Sequence, residues 1–285
     1  MTTTSILSDI LQTLPSIKAF HARTTKPYQL LEKITKPAVE QVFHDNSSEK
    51  KPFEPFGNLS LPFFSMGAVN TLDLFGLDEL VIFSFYWINR HRYKKALDIG
   101  ANIGLHSILL SKCGYSVESF EPDPKHFAKL QEMLALNDIN NIVLHQAAVS
   151  IKDGTAEFVR VIGNTTSSHL AGSKQPYGDL ERFTVPVFDI KKLISSADLI
   201  KMDVESHEDQ IIMATTKDDW KNTDAFVEIG TEENAEKIYA HLSKLQINMF
   251  AQKLGWEKVK KSSDMPISYR EGSLFISSKK EMPWE

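Results

Sequence analysis

The sequence contains one cysteine, Cys113, among its 285 residues. An internal disulfide is therefore excluded, and a reducing compartment is expected. Long apolar runs are also missing. The greasiest stretch, Leu80 to Ile88, is nine residues long and follows Asp78 and Glu79, whereas a membrane span needs about 20. Met1 to Pro15 shows no basic segment ahead of an apolar run, so no secretory signal is read there and a cytoplasmic location is expected. Positive charge is in deficit: 32 Lys and Arg against 37 Asp and Glu leave a net charge of −5. No global basic field draws the chain to nucleic acid or anionic lipid, and neither is expected as a partner. The glycine spacing of a dinucleotide fingerprint is absent, because the register runs Gly100-x-Asn102-x-x-Leu105. No G-K-[ST] follows it, which excludes a phosphate-binding loop of that type. No internal repeat is visible.

What remains is an ordinary globular balance, rich enough in apolar residues for a sizeable core. Three stretches differ in texture. Residues 1–52 read as a helical extension, with Ile6, Ile10, Leu14 and Ile17 at helix spacing and a polar run at 46–51 closing it. It would serve as a cap on a binding site, a docking segment or an arm for a homodimer. Residues 53–93 are crowded with aromatics, including Phe53, Phe56, Phe75, Phe83, Phe85, Tyr86 and Trp87. They would pack on the next domain, or some of their rings would line a pocket for a sugar face; a helix is expected around Asp78 to Asn89.

Residues 94–285 alternate strand and helix. Strands are expected at 96–99, 116–120, 141–145, 199–204 and 225–229, and helices at 103–112, 124–136 and 233–245. Two β-like pieces, 155–161 and 183–188, flank a polar loop. Residues 256–259 and 273–277 are expected to close the sheet as an antiparallel pair. The alternation predicts a doubly wound, mostly parallel α/β sheet, whose ligands bind beyond the carboxyl ends of the strands. Gly100 and Gly104 lie at such an end, where small residues permit a tight turn and close backbone approach. Asp98 ends the strand, and Asn102 tolerates left-handed backbone. Glu121 ends the next strand, 21 residues after Gly100, where an acid accepts both hydroxyls of a ribose. Turn and acid together point to a nucleoside.

With these residues the chain resembles the FkbM-type methyltransferases. The resemblance is carried by Asp98-Ile-Gly-Ala-Asn-Ile-Gly104, Phe120-Glu121-Pro122, Asn137, Ala147-Ala148-Val149 and the run Ile200-Lys-Met-Asp-Val-Glu-Ser-His-Glu208, and extends from about residue 55 to about residue 278. It implies a class I methyltransferase fold, Rossmann-like, with a seven-stranded mostly parallel sheet and helices on both faces. It also implies S-adenosylmethionine as cofactor and O-methylation, commonly of sugar hydroxyls in glycans, glycolipids or natural products. Carried over by position, Asp98, Gly100, Ala101, Asn102 and Gly104 would hold the methionine part, Glu121 the ribose, Pro122 the rim, and Ala147 or Ala148 the adenine region. Asp123 reads equally as a cap for the following helix. Ser206 stands where the family usually has glycine.

Methyl transfer to a hydroxyl needs positioning and a place for the proton. Asp203 and Glu205 lie two apart on what reads as an extended run, so both would face one side. They would offset a sulfonium charge, orient the acceptor or take its proton; otherwise they stabilise a helix N-terminus. His207 is a base candidate or a helix cap. In the polar loop 163–169, suited to a polyhydroxyl acceptor, His169 is a further candidate. No metal is favoured, although Asp203, Glu205, His207 and Glu208 offer ligands for Mg²⁺ or Mn²⁺. His106, His126 and His145 read as helix-face or strand residues. Other acceptors, small-molecule or protein, stay open, as does a silent cofactor-binding partner subunit.

Overall fold

The computed structural model describes residues 3–173, 175 and 177–284. In chain order it begins with α1 (Thr3–Thr13), α2 (Lys26–Phe43), the short pair β1 (Lys51–Pro52) and β2 (Asn58–Leu59), and α3 (Leu77–Ile88). The alternating part follows: β3 (Lys95–Ile99), α4 (Leu105–Lys112), β4 (Ser116–Phe120), α5 (Pro124–Leu136), β5 (Ile142–His145), β6 (Ala148–Ser150), β7 (Gly154–Val161), β8 (His169–Leu170) and β9 (Leu180–Asp189). It continues through α6 (Ile190–Leu193), β10 (Leu199–Met202), α7 (Glu208–Met213), β11 (Asp224–Val227), α8 (Glu232–Leu245), β12 (Asn248–Ala251), β13 (Glu257–Lys258) and β14 (Leu274–Ser277).

The main sheet runs β13-β12-β14-β11-β10-β3-β4-β5. Strands β5, β4, β3, β10 and β11 are parallel, and β14 lies antiparallel between β11 and β12. This is the doubly wound sheet of a class I methyltransferase, with eight strands rather than seven because the two-residue β13 adds an edge. The expected closing pair is also different. Residues 256–259 and 273–277 do not pair with each other; both pair with β12, whose four residues the sequence reading passed over. A strand that short carries too little periodicity to stand out. The β-like pieces around the polar loop form a separate sheet, β6-β9-β7-β8.

Side-chain alternation divides the core. Leu97, Ile99, Ile200, Met202 and Val227 face one apolar cluster with residues of α7 and α8. Ala96, Val117, Leu199 and Phe226 face the other, together with Leu7, Tyr28, Val39 and Phe43 of the N-terminal helices and Phe83 and Phe85 of α3. The textural boundaries at 52 and 93 thus cross a continuous core. Phe53, Phe56, Phe75, Phe83, Phe85 and Tyr86 are all buried within it. Each such ring contributes about 1.5–3 kcal/mol by leaving water. Polar ties add registration: Tyr28 Oη donates to Asp78 Oδ1 at 2.7 Å, and Trp256 Nε1 donates to His21 Nδ1 at 2.8 Å. Burial pushes His21 down to about 4, so it remains a neutral acceptor.

Candidate active site

The chain order reverses between β3 and β10, and a cleft opens there. That is the switch point where doubly wound sheets bind ligands. Its wall includes Gly100, Asn102, Glu121, Pro122, Ala147, Ala148, Asp203, Glu205 and His207, so the cleft brings together most of the positions singled out in the sequence.

The turn after β3 is built by close approach. Gly100 has φ +81°, and a Cβ on it would stand 1.8 Å from the Asp203 carbonyl oxygen. Asn102 takes the left-handed conformation at φ 51°, as its short polar side chain permits. Gly104 starts α4 with φ +90°, and a Cβ there would meet Leu130 Cγ of α5 at 3.0 Å. Gly104 and Ala101 thus shape the turn without lining the cleft. Asp98 lies beneath it, fully buried, where it accepts from Ser107 Oγ at 2.5 Å. Its other oxygen has no hydrogen-bond partner among the described residues, and neither has the buried Oδ1 of Asn102 at the cleft wall.

Glu121 reaches back to this turn. Its two oxygens accept from the amides of Asn102 and Asp123, each at 2.8 Å. Burial outweighs those bonds and pushes the carboxyl up to about 8. Beyond it the wall becomes apolar, with Phe120, Val149, Phe158 and Leu170 beside the alanines. Asp123 caps α5 through Lys125 N at 2.8 Å, and it also holds a buried bidentate pair with Arg160, both contacts at 2.6 Å. Nothing in the sequence pairs those residues, which are brought together by β7 folding over the cleft. Asn137 ends α5 by donating to Met133 O, and it also exchanges hydrogen bonds with Ser60 of the lead-in at 2.9 and 2.7 Å.

At the opposite end, β10 stops at Met202. Glu205 and Ser206 then adopt left-handed backbone at φ 55° and 76°. The expected extended run is therefore a turn, and Asp203 and Glu205 do not share a strand face by alternation, although both line the cleft. The positive φ at Ser206 accounts for a position that elsewhere favours glycine. His207 also lines the cleft, but its ring nitrogens are taken by Ser150 Oγ at 2.8 Å and Ser173 Oγ at 3.0 Å. Glu208 turns inward, accepts from the amides of Val204 and Ser206, and is pushed up to about 8 by burial. No group of three or more His, Cys, Asp or Glu among the described residues is disposed to hold a metal ion. His169, expected near the acceptor, is buried in β8 with Nδ1 on Ser167 O at 3.0 Å, between Ser168 and Leu170, which line the cleft. The loop before it does reach the cleft, through Thr165, Thr166 and Ser168. That loop leans on the lead-in, where Thr165 N donates to Met66 O at 2.9 Å. His126, read as a helix-face residue, also lines the cleft and bonds Thr165 Oγ1 at 2.8 Å.

Behind Asp203 sits a charge cluster that sequence reasoning missed. Lys201 pairs in register with Asp98, lies 3.6 Å from Asp203 Oδ2 and donates to Gly100 O at 3.3 Å. Burial alone would lower its ammonium, but Asp203, Asp98, Glu79 and Glu228 outweigh it and hold the group above the usual lysine range. Glu79 comes from α3 and stands 2.9 Å from His106 Nε2. The available signal was Lys201 itself, inside the quoted motif, two residues ahead of Asp203.

Fold and cleft together define a doubly wound domain with a carboxyl-lined cleft at its switch point. The chain belongs to the methyltransferase FkbM domain family, which matches residues 98–255, and the family's cofactor is S-adenosylmethionine. The match is narrower than the resemblance read from the motifs. No curated protein matches the chain significantly. Among solved structures it is similar to the ribosomal protein L11 methylase of Lactobacillus delbrueckii subsp. bulgaricus, at 13% identity over 68% of this chain and 75% of that one, with a TM-score of 0.36. It is also similar to precorrin-6y C5,15-methyltransferase of Geobacter metallireducens, at 12% identity over 66% and 82%, TM-score 0.37. A third is the O-methyltransferase of Bacillus cereus in complex with SAH, at 9% identity over 68% and 78%, TM-score 0.36. No described helix is long and apolar enough to cross a membrane.

Proposed function

We propose that this protein is an S-adenosylmethionine-dependent O-methyltransferase whose acceptor is a hydroxyl of a sugar in a glycan, glycolipid or natural product. One observation carries the cofactor half. The described cleft wall holds Glu121, Asp123, Asp203 and Glu205, and no Lys or Arg. Asp123 is held by Arg160 and Asp203 stands 3.6 Å from Lys201, which lies behind the wall; a lining that offers carboxyl groups and no cation suits a cationic ligand better than a phosphate. The residues present fit such a cofactor. Glu121 would receive the ribose hydroxyls, the buried Asn102 Oδ1 offers an acceptor to the methionine part, and Phe120, Ala147, Ala148 and Val149 offer an apolar face to the purine. When bound, the cofactor supplies a methyl group on a positively charged sulfur.

The chain's own part is positioning. Asp203 and Glu205 would orient the acceptor and offset the sulfonium charge. Thr165, Thr166 and Ser168 line the same wall with hydroxyls suited to a polyhydroxyl acceptor. Near-attack alignment of this kind supplies much of a barrier reduction. Calorimetry with S-adenosylmethionine and S-adenosylhomocysteine tests the first half. Failure of both to bind at high excess would sink it. Labelled methyl transfer into glycan, glycolipid and natural-product pools tests the second. Label recovered only in a protein, or on nitrogen, would replace the sugar hydroxyl.

A further inference from the structure

Asp203 has a neighbouring acid that the motif does not contain. Val227 pairs with Met202 in the parallel register, so Glu228 and Asp203 leave the ends of adjacent strands side by side. The Glu228 amide donates to Met202 O at 3.1 Å. Strand alternation puts Lys201 and Asp203 on the same face as Phe226 and Glu228, and Phe226 packs in the cluster that includes α3. From α3 comes Glu79. The half-buried Glu228 carboxyl therefore leaves the carboxyl edge of the sheet beside Asp203 of the cleft wall, near enough to Asp203, Glu79, Glu205 and Lys201 to feel their charges. Glu121 and Glu208 are tied to backbone amides. Among the described residues, no side-chain hydrogen bond ties Glu228.

We propose that Glu228 takes the proton of the acceptor hydroxyl, with Asp203 and Lys201 governing when it carries charge. This rests on the methyltransferase reading of the cleft. The acceptor oxygen forms its bond to the methyl carbon while the carbon–sulfur bond breaks, leaving its electron pair on sulfur. The O–H proton passes to a carboxylate oxygen of Glu228. A sulfonium and a carboxylate are thereby replaced by a neutral thioether and a neutral acid. Burial, with Asp203, Glu79 and Glu205 alongside, pushes Glu228 well above the usual carboxylate range in spite of Lys201. A cation arriving in the cleft favours the ionised form, so the methyl donor itself moves the base toward its charged state. Neighbouring carboxyls driven apart in this way are how acid and base roles are divided in one site.

Carboxyl-labelled glutamate read by carbon NMR tests this directly, with Glu228→Gln assigning the resonance. Without ligand, the Glu228 signal is expected to pass from its neutral-acid to its carboxylate position at a higher pH than an exposed glutamate. S-adenosylmethionine should lower that pH, whereas S-adenosylhomocysteine, which lacks the sulfonium charge, should leave it in place. Glu228→Gln should lower kcat about 10²–10⁴-fold with KM unchanged, and Glu228→Asp should restore part of the rate. Wild-type affinity of the Gln variant for S-adenosylhomocysteine will show that its cleft is folded. A resonance answering both ligands alike, or a Gln variant with wild-type kcat, would overturn the proposal. A wild-type chain that binds neither ligand would overturn the reading of the cleft instead.

Discussion

Replacing Gly100 by alanine isolates the contact that joins the turn after β3 to the Asp203 segment after β10. Two costs add at this position. The positive φ of +81° is worth about 1–2 kcal/mol against any residue with a Cβ. The new methyl would also stand 1.8 Å from the Asp203 carbonyl oxygen and 2.9 Å from its carbon. Both are backbone atoms, so the β3 turn or the Asp203 segment must retreat, at about 1–3 kcal/mol for an overpacked site. At about 2–4 °C per kcal/mol in a chain of this size, melting should fall by roughly 5–15 °C. Activity should fall further than stability, since a 1 Å misplacement of a reacting centre costs about 100-fold. Gly114 provides the control. Its φ is +88°, and nothing lies within 4 Å of the added Cβ, so Gly114→Ala should show the backbone cost alone. Thermal denaturation, S-adenosylhomocysteine affinity and methyl transfer would be measured on both variants. Equal losses in the two, with turnover of Gly100→Ala intact, would refute the argument that close approach to Asp203 makes this glycine necessary.

Three further outcomes are expected. Arg160→Met strands the buried Asp123 carboxylate and should cost about 3–5 kcal/mol in urea denaturation; a loss below about 1 kcal/mol would mean that the pair is surface-like. Glu121 is pushed up to about 8 in the folded chain, above its unfolded range near 4.5. Its contribution is thus fully present below the unfolded value and is lost as pH rises through the folded one. Ligand-free stability should fall across that window, and Glu121→Gln should flatten part of the fall. Glu208 has the same sign, whereas Asp123, held low mainly by Arg160 against burial, loses its contribution as pH drops. Ribose binding to an ionised Glu121 should release a proton near pH 7, visible as a buffer-dependent heat in calorimetry. Finally, His207→Ala should weaken cofactor binding by releasing the Ser150 and Ser173 contacts, while His169→Ala should change stability and leave binding alone. The opposite pattern in a titration would put His169 at the site.

Legibility from the sequence followed the range of the interaction. β4 (Ser116–Phe120) and α5 (Pro124–Leu136) end where the sequence predicts, because Asp123 and Pro124 mark the helix start locally. The glycine turn and Glu121 were legible for a related reason. Positive φ and a strand-end acid are requirements on single residues, and residue identity meets them or does not. Failures began where neighbours in space decide. Asp203 and Glu205 looked extended, but two left-handed residues follow β10. His169 sat in a loop with the right chemistry, yet pairing with Val159 in β7 carried it into a sheet.

Taken alone, the amino-acid order determined the α/β alternation, the turn from Asp98 to Gly104, the strand-end acid Glu121 and the family. These rest on short-range backbone and side-chain preferences that any window of the chain displays. Only the tertiary structure decided which charges meet. Lys201 is one of many lysines until the parallel register sets it against Asp98 and beside Asp203. Glu228 is an ordinary strand-end residue until β11 lies next to β10. Arg160 finds Asp123 across 37 residues only because β7 folds over the cleft. Electrostatic energy depends on distance and burial, and neither is a property of position along the chain.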